Sequence, residues 1–464
     1  MKKILLFLFA AYMLNIAQES YTLSWTGNHS GYVRTVAISS NGSKVFSGSD
    51  DKTVKAWNAS NGSLLWSSPF DGRVNWIDVS LDGTRVVAAS SDKTVRMLDA
   101  ETGAQLWIMT DVDVVIAALF CSFDTRVMIA DEDNLVKCLN AANGNVVWIG
   151  VHDTNFNSGI NFLSISSNGN FAVSGSTQYI KVWNITTQLQ VSIASIGSNV
   201  STVYFNPDYS RVVSADWSGN VRIWNAATGA SVTTMVHSGI VNAARYSPDG
   251  SKIVSIGNNR IVKLWDVGTG QQLWSGNHND EVVSVTFSPD GSRIATGSGS
   301  AESLIRLWNT SNGNLIWTSP VGQAGQTVSK IIFSPDGNKI INANFQSNSI
   351  KCWTKVPTSV EHQGNIPFEF SLSQNYPNPF NPGTTIKYTI PNVGSRHAST
   401  LQHVTLKVYD ILGREVATLV DEYKLPGFYN CELRIENGEL QSGIYLYNLR
   451  VGSFSQTKKM VYLK

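Results

Sequence analysis

Charge is scarce in this chain. Asp, Glu, Lys and Arg make up 15% of its 464 residues, where about a quarter is usual. The 35 Lys and Arg nearly cancel the 34 Asp and Glu, leaving a net charge of +1, and no basic run breaks that balance. Nucleic acid is therefore excluded as a partner class, because its recognition needs clustered cations. Cysteine is scarce too. Cys121, Cys138, Cys352 and Cys431 are the only four, and none forms a Cys-x-x-Cys pair, which removes zinc-ribbon and thioredoxin-like readings. Cys121 and Cys138 fall two strands apart in one sheet, which argues against a disulfide between them. All four read as small apolar residues. Long hydrophobic runs are missing except for residues 4–14, which follow Lys2 and Lys3. That run, at about 1.5 Å per residue, is too short for a core of about 30 Å. With Asn15-Ile16-Ala17 behind it, residues 1–17 read as a signal peptide cleaved after Ala17. No membrane-spanning segment is expected in the mature chain. Also missing are Gly-x-Ser-x-Gly, His-Glu-x-x-His, a phosphate loop and EF-hand spacing, so no catalytic residue, metal site or cofactor is assigned.

What is present is repetition. One strand–turn–strand phrase recurs with its marker at Trp57, Leu98, Leu139, Trp183, Trp224, Trp265, Trp308 and Trp353, in steps of 41, 41, 44, 41, 41, 43 and 45 residues. A period of about 40–45 residues built of strands is that of a β-propeller blade. In the first unit, residues 33–38 alternate as strand a, and Asn41-Gly42 turns the chain where positive φ is tolerated. Residues 45–48 form strand b, 53–57 strand c and 63–66 strand d. Asp82-Gly83, Asn168-Gly169, Asp249-Gly250, Asp290-Gly291 and Asp336-Gly337 fill the same first turn elsewhere; the third unit has Asp124-Thr125 instead.

Two phrases, residues 288–298 (SPDGSRIATGS) and 262–266 (VKLWD), resemble the WD-repeat family, and the resemblance covers residues 20–356. It implies a polar tetrad of loop His, strand-b Ser or Thr, turn Asp and strand-c Trp. The first blade carries the set as His29, Ser47 or Ser49, Asp51 and Trp57. His237 and His278 keep the loop His. The Asp position is Thr177, Ser218, Asn259, Glu302 and Ser347 in later units. Eight a–b–c units are separated by seven d strands, and none follows Trp353. Residues 23–29 (LSWTGNH) echo 273–278 (LWSGNH), so the N-terminal segment is expected to supply the eighth outer strand. An eight-bladed propeller is the leading expectation, with seven blades and a decayed orphan unit as the alternative.

Residues 357–367 read as a linker. Beyond them, the Pro-rich phrase at 375–382 (NYPNPFNP) excludes helix, and alternating runs at 385–390, 404–409, 442–449 and 458–464 predict a small immunoglobulin-like β-sandwich. Residues 392–403 are expected to form a loose loop. Residues 368–464 resemble the type A C-terminal sorting domain of the type IX secretion system. The resemblance implies that the type IX machinery is a partner, and that the chain crosses the periplasm to be released or fixed at the outer-membrane surface.

Function is then sought on the propeller loops. Trp66, Trp107, Trp148, Trp274 and Trp317 each stand nine residues after a strand-c marker. The phrase at 100–107 (AETGAQLW) resembles the tryptophan-docking motif of quinoprotein dehydrogenases, whose physical task is to stack one blade on the next. Asp131-Glu132-Asp133 and Asp111-x-Asp113 are a solvated acidic turn or carboxylates offered to calcium. The d–a and b–c loops share one face, and departures from the 41-residue period mark candidate contact residues there: His152, Asp153, Phe156, Trp217, Glu302 and Phe345. Trp217, Phe156 and Phe345 are expected either to form a contact surface or to fold down into the channel. The expected function is a non-enzymatic, exported propeller that binds a protein, peptide or glycan. The alternative is a propeller enzyme of quinoprotein-dehydrogenase-like or hydrolase type, which would place convergent charges and a metal in the central channel, whereas a channel lined by Ser, Val and Ala would favour the binder.

Overall fold

The computed structural model describes residues 19–153, 159–320, 325–356, 370–375, 378–381, 383–391, 402–424, 427–435, 440–452 and 454–463. The signal peptide, the 357–367 linker, Phe156 and most of the 392–403 loop lie outside these residues. Gln402 and His403, expected at the end of that loop, instead begin the strand Gln402–Tyr409, because the alternation of 404–409 extends back through them. Two compact units are present, one spanning Gln18–Val356 and the other within Pro357–Lys464. Among the described residues every regular element is a strand, and no helix is long and apolar enough to cross a membrane.

Residues Gln18–Val356 hold eight four-stranded antiparallel sheets among the described residues. Their innermost strands are Val33–Ile38, Val74–Val79, Val115–Cys121, Phe162–Ile165, Val200–Phe205, Val241–Tyr246, Val282–Phe287 and Val328–Phe333; the sheets are numbered first to eighth in that order. Each innermost strand packs on the next, and the eighth returns to pack on the first. The result is the ring of a β-propeller. A recurring hydrogen bond joins neighbours: Asn75 Nδ2 donates to the Val115 carbonyl at 2.9 Å and Asn242 Nδ2 to that of Val282 at 2.9 Å. Ser329 Oγ donates to the Val33 carbonyl at 3.1 Å, so the same position joins the last sheet to the first.

The eighth sheet draws its outer strand from the other end of the propeller. Ser20–Asn28 pairs antiparallel with Ser349–Val356, from Ser20 opposite Val356 to Asn28 opposite Ser349. Glu19 lies 3.3 Å from Arg293 and 3.4 Å from Lys355, which pins the start of that strand. A sheet edge that would otherwise template further pairing is thereby filled.

Indoles clamp one sheet to the next. Trp66 Nε1 donates to the Ala100 carbonyl at 3.2 Å, Trp107 Nε1 to Ala141 at 2.9 Å and Trp274 Nε1 to Thr310 at 2.9 Å. Each ring rests on a turn glycine of the following sheet. A Cβ at Gly103 would lie 2.6 Å from Trp66, and one at Gly144 2.7 Å from Trp107. Trp25 on the N-terminal strand does the same across the closure: its Nε1 donates to Ala59 at 3.1 Å, and Gly62 lies under its ring. The echo between 23–29 and 273–278 is therefore functional at the level of packing, with Trp25 standing where Trp274 stands. Trp148 departs from the pattern and lies against Trp183, ring centroids 6.1 Å apart. Where the fourth sheet has no Trp, Ser192 Oγ donates to Ala226 at 2.7 Å.

The C-terminal unit has a three-stranded sheet, Ser371–Leu372, Gly383–Ile390 and Gly427–Arg434, and a four-stranded sheet ordered Glu415–Lys424, Gln402–Tyr409, Gly443–Val451, Phe454–Tyr462. Ile386, Tyr388 and Leu433 from the first meet Leu406, Tyr447 and Met460 from the second in one buried core. All four cysteines are free; three are buried and Cys431 is half-buried.

Candidate functional site

The first blade carries the complete tetrad, and the structure selects Ser47 over Ser49. Trp57 Nε1 donates to Ser47 Oγ at 2.8 Å, His29 Nε2 lies 2.8 Å from the same oxygen, and His29 Nδ1 lies 2.8 Å from Asp51 Oδ2. Because the Asp51 carboxylate can only accept, His29 Nδ1–H donates to it, and the unprotonated Nε2 accepts the Ser47 hydroxyl proton while Ser47 Oγ accepts from the indole. Ser49 Oγ instead donates to the Gly31 carbonyl at 3.0 Å.

The same slot recurs with altered chemistry. In the seventh sheet His278 Nδ1 lies 2.7 Å from Glu302 Oε2, its Nε2 lies 2.8 Å from Thr296 Oγ1, and Trp308 Nε1 donates to Thr296 at 2.8 Å. This is a second full tetrad with Glu as the acid. Glu302, a candidate contact residue by sequence, is buried in it; the longer turn brings the longer carboxylate back to the same place. His152, another candidate, is likewise fully buried: its Nδ1 lies 2.7 Å from Ser174 Oγ, which accepts Trp183 Nε1–H at 2.8 Å. In the sixth sheet His237 meets Ser255 at 2.8 Å and Asn259 at 3.2 Å. Burial pushes His29, His152 and His237 down to about 4, so these imidazoles are neutral hydrogen-bonding parts.

The third sheet fills the slot with an ion triad. Lys137, itself buried, donates to Asp111 Oδ1 and, at 2.7 Å, to Asp131 Oδ2. Asp111 and Asp131 are thus held inside the blade, not solvated. Among the described residues no group of His, Cys, Asp and Glu is arranged to hold a metal ion. The sequence does carry a signal for this cation that motif reading misses. Two residues before every strand-c marker stands a Lys or Arg: Lys55, Arg96, Lys137, Lys181, Arg222, Lys263, Arg306 and Lys351. Lys55 and Lys181 reach the carbonyls of Asn28 (3.0 Å) and Val151 (3.2 Å), each just before the slot residue.

On the loop face, the remaining candidates separate. Trp217 is 55% exposed. Phe345 stacks on Tyr32, centroids 4.4 Å apart, with the Arg34 guanidinium 5.3 Å from its ring; Arg34 is also paired with Asp50. This stack joins the eighth and first sheets, while Trp217 belongs to the fifth, across the ring. Asp153 is half-buried beside His152. Neither Trp217 nor Phe345 lines the channel cavity.

Strand residues supply aromatic rings to the channel instead. Trp76 meets Phe162 edge-on at 5.9 Å and Phe162 meets Tyr204 at 5.1 Å. Beside them lies a cavity of about 690 Å³ to which the innermost strands of all eight sheets contribute. It holds four charged residues: Asp78, Asp124, Arg245 and Lys330. The charged lining expected of the enzyme alternative is thus present. The described loop histidines do not line it; they are bonded inside the blades.

Comparison with known proteins accords with this geometry. Residues 16–245 match the family model described as outer membrane protein assembly factor BamB. Residues 229–266 and 270–309 match the WD domain, G-beta repeat. Residues 374–463 match the secretion system C-terminal sorting domain. No curated protein matches. Among solved structures, the computationally designed Ika8 protein is 23% identical with a TM-score of 0.62, covering 73% of this chain and 99% of that one. The C-terminal WD40 domain of Sif2 is 17% identical with a TM-score of 0.62, covering 73% and 98%. At these identities the likeness to solved structures is one of fold.

Proposed function

We propose that this chain, a WD-repeat-like β-propeller that a C-terminal sorting domain directs to secretion or to the outer-membrane surface, works there as a non-catalytic binding module. Its ring is read as eight-bladed rather than seven-bladed, and its C-terminal unit as an immunoglobulin-like sandwich recognised by type IX machinery. The partner is an extracellular protein, peptide or glycan held on the d–a and b–c loop face. The observation that carries this reading is the aromatic surface there: exposed Trp217 on one side and, on the other, exposed Tyr32 stacked on half-buried Phe345. Aromatics in such positions are the usual anchors of binding surfaces. Arg34 adds a planar donor group beside the stack.

The test is binding of the mature protein to whole cells, matrix extracts and a glycan array, with Trp217→Ala and the Tyr32→Ala/Phe345→Ala double variant beside it. Loss of one specific signal in both variants, with unchanged melting temperature, supports the reading. Binding that is indifferent to both variants removes it. The charged channel favours a second reading, an exported propeller enzyme. On that reading Asp78→Asn abolishes turnover of a substrate found by activity screening, whereas a binding module is unaffected.

A further inference from the structure

The channel cavity contains a cation that the fold does not use. Arg245 stands on the innermost strand of the sixth sheet, its guanidinium 4.4 Å from the Tyr204 ring centroid. Among the described residues it has no hydrogen-bonding or ion-pair partner, unlike Arg96, Arg222 and Arg306, which each hold a carboxylate. Lys330 enters from the eighth sheet, donating to Thr35 Oγ1 at 3.0 Å and lying 4.4 Å from the Trp76 ring. Burial first, and then Arg245, hold Lys330 down to about 8 against the pull of Asp78. Two acids oppose these cations, and each is engaged by a backbone amide: Asp78 accepts the Phe120 amide at 2.9 Å, with burial pushing it up to about 6, and Asp124 accepts the Leu81 amide. The Arg245 guanidinium is left to face Lys330, and an added anion would relieve the repulsion between the two cations.

Between these cations runs an apolar floor, the Trp76–Phe162–Tyr204 chain of rings. The mouth is apolar as well, with Phe123 72% and Leu81 67% exposed. Phe123 is placed there at a cost. Ser122, Phe123 and Asp124 have φ of 49°, 53° and 64°, a left-handed run without glycine at about 1 kcal/mol or more per residue. It is held by Asp124 Oδ2 accepting the Leu81 amide at 2.6 Å and by the Ser122 amide donating to Gly169 at 2.8 Å. The cavity volume falls in the range of small-ligand sites, about 300–1,000 Å³.

We propose that this cavity binds a small aromatic carboxylate, its carboxylate on the Arg245 guanidinium with Lys330 as second cation and its ring against Phe162 and Tyr204. The fork of a guanidinium suits the two oxygens of a carboxylate. The site lies at the a–b turn end of the channel and does not rest on the loop-face reading.

Titration calorimetry of the mature full chain with 2-naphthoate, naphthalene-2-carboxamide and inorganic phosphate tests it. The acid is expected to saturate one site per chain and to bind roughly tenfold or more tightly than the amide or phosphate. Arg245→Gln is expected to remove that preference for the acid while leaving the melting temperature within a few degrees. Should Arg245→Gln not fold, Arg245→Lys keeps the cation without the fork and is expected to weaken the acid selectively. Tyr204→Ala weakens acid and amide together. Equal binding of acid and amide, phosphate binding as tightly as the acid, an Arg245 variant that binds like the parent, or no saturation up to about 1 mM each overturn the proposal.

Discussion

At the scale of single residues, the propeller is held by polar groups that water cannot reach, and their protonation sets its acid limit. His152, bonded to Ser174 with Asp153 beside it, and His237, bonded to Ser255 and Asn259, sit near 4 when folded because burial outweighs these contacts, against about 6.5 when unfolded. The unfolded chain therefore binds more protons between those values, and stability rises with pH across that window. The urea midpoint is expected to be level above about pH 7 and to fall as pH drops from about 6.5 to 4. His152→Gln, tolerated or not in absolute terms, is expected to reduce the slope of that fall; an unchanged slope would refute the assignment. Lys137 makes the complementary case. Lys137→Ala leaves Asp111 and Asp131 buried without a cation, and should cost about 3–5 kcal/mol in denaturant unfolding. A loss below about 1 kcal/mol would mean that water replaces the ammonium. These residues also mark how far the sequence could be read. The first tetrad was spelled out by its motif. Glu302 falls at the Asp position but does not read as the tetrad's acid, because it is not Asp and its turn is two residues longer. The Lys137 triad was hidden because adjacent acids look solvated until the cation opposite them in strand c is paired with them in space.

At the scale of the element, four of the joints between sheets carry an indole seated on a glycine (Trp25, Trp66, Trp107 and Trp274), and the two halves of such a joint can be tested apart. Gly103 has φ of 73° and Gly83 has φ of 70°, so alanine strains both backbones alike, by roughly 1 kcal/mol. They differ in surroundings. A Cβ at Gly103 would lie 2.6 Å from Trp66, whereas one at Gly83 meets nothing nearer than 3.9 Å. Gly103→Ala should therefore lower stability by about 1–3 kcal/mol more than Gly83→Ala, since the indole has no room to yield. Equal losses in thermal or urea unfolding would show that the ring is loosely seated. The nine-residue spacing from strand marker to Trp made these joints legible in sequence, as did the Asn-Gly and Asp-Gly turns. The channel was not legible. Trp76, Phe162, Tyr204, Arg245 and Lys330 stand on five different strands, at register positions whose residue type changes from repeat to repeat. No local pattern brings them together; only closure of the ring does.

At the scale of the whole molecule, the chain ends of the propeller are one structural element, and this couples folding to export. A chain cleaved after Ala17 has only Gln18 and Glu19 ahead of the strand Ser20–Asn28, whose partner Ser349–Val356 is the last propeller strand to emerge. The ring cannot close until both are present in one compartment. Loop closure over so many residues costs entropy that grows only slowly with length. The gain is large by comparison: a ladder of backbone hydrogen bonds, the Trp25 clamp on Ala59 and the Glu19 contacts to Arg293 and Lys355. Removing residues 19–28 from the mature protein should leave the eighth sheet three-stranded with an open, apolar-flanked edge. The expected outcome is a lower melting temperature together with concentration-dependent association in analytical ultracentrifugation, while a synthetic peptide of residues 19–28 restores the monomer. Trp25→Ala in the intact chain separates the two contributions: it keeps the ladder and the covered edge, so it should lower stability by about 3–5 kcal/mol without causing association. A deletion variant that stays monomeric at the parent melting temperature would show that the sheets hold the ring shut by stacking alone.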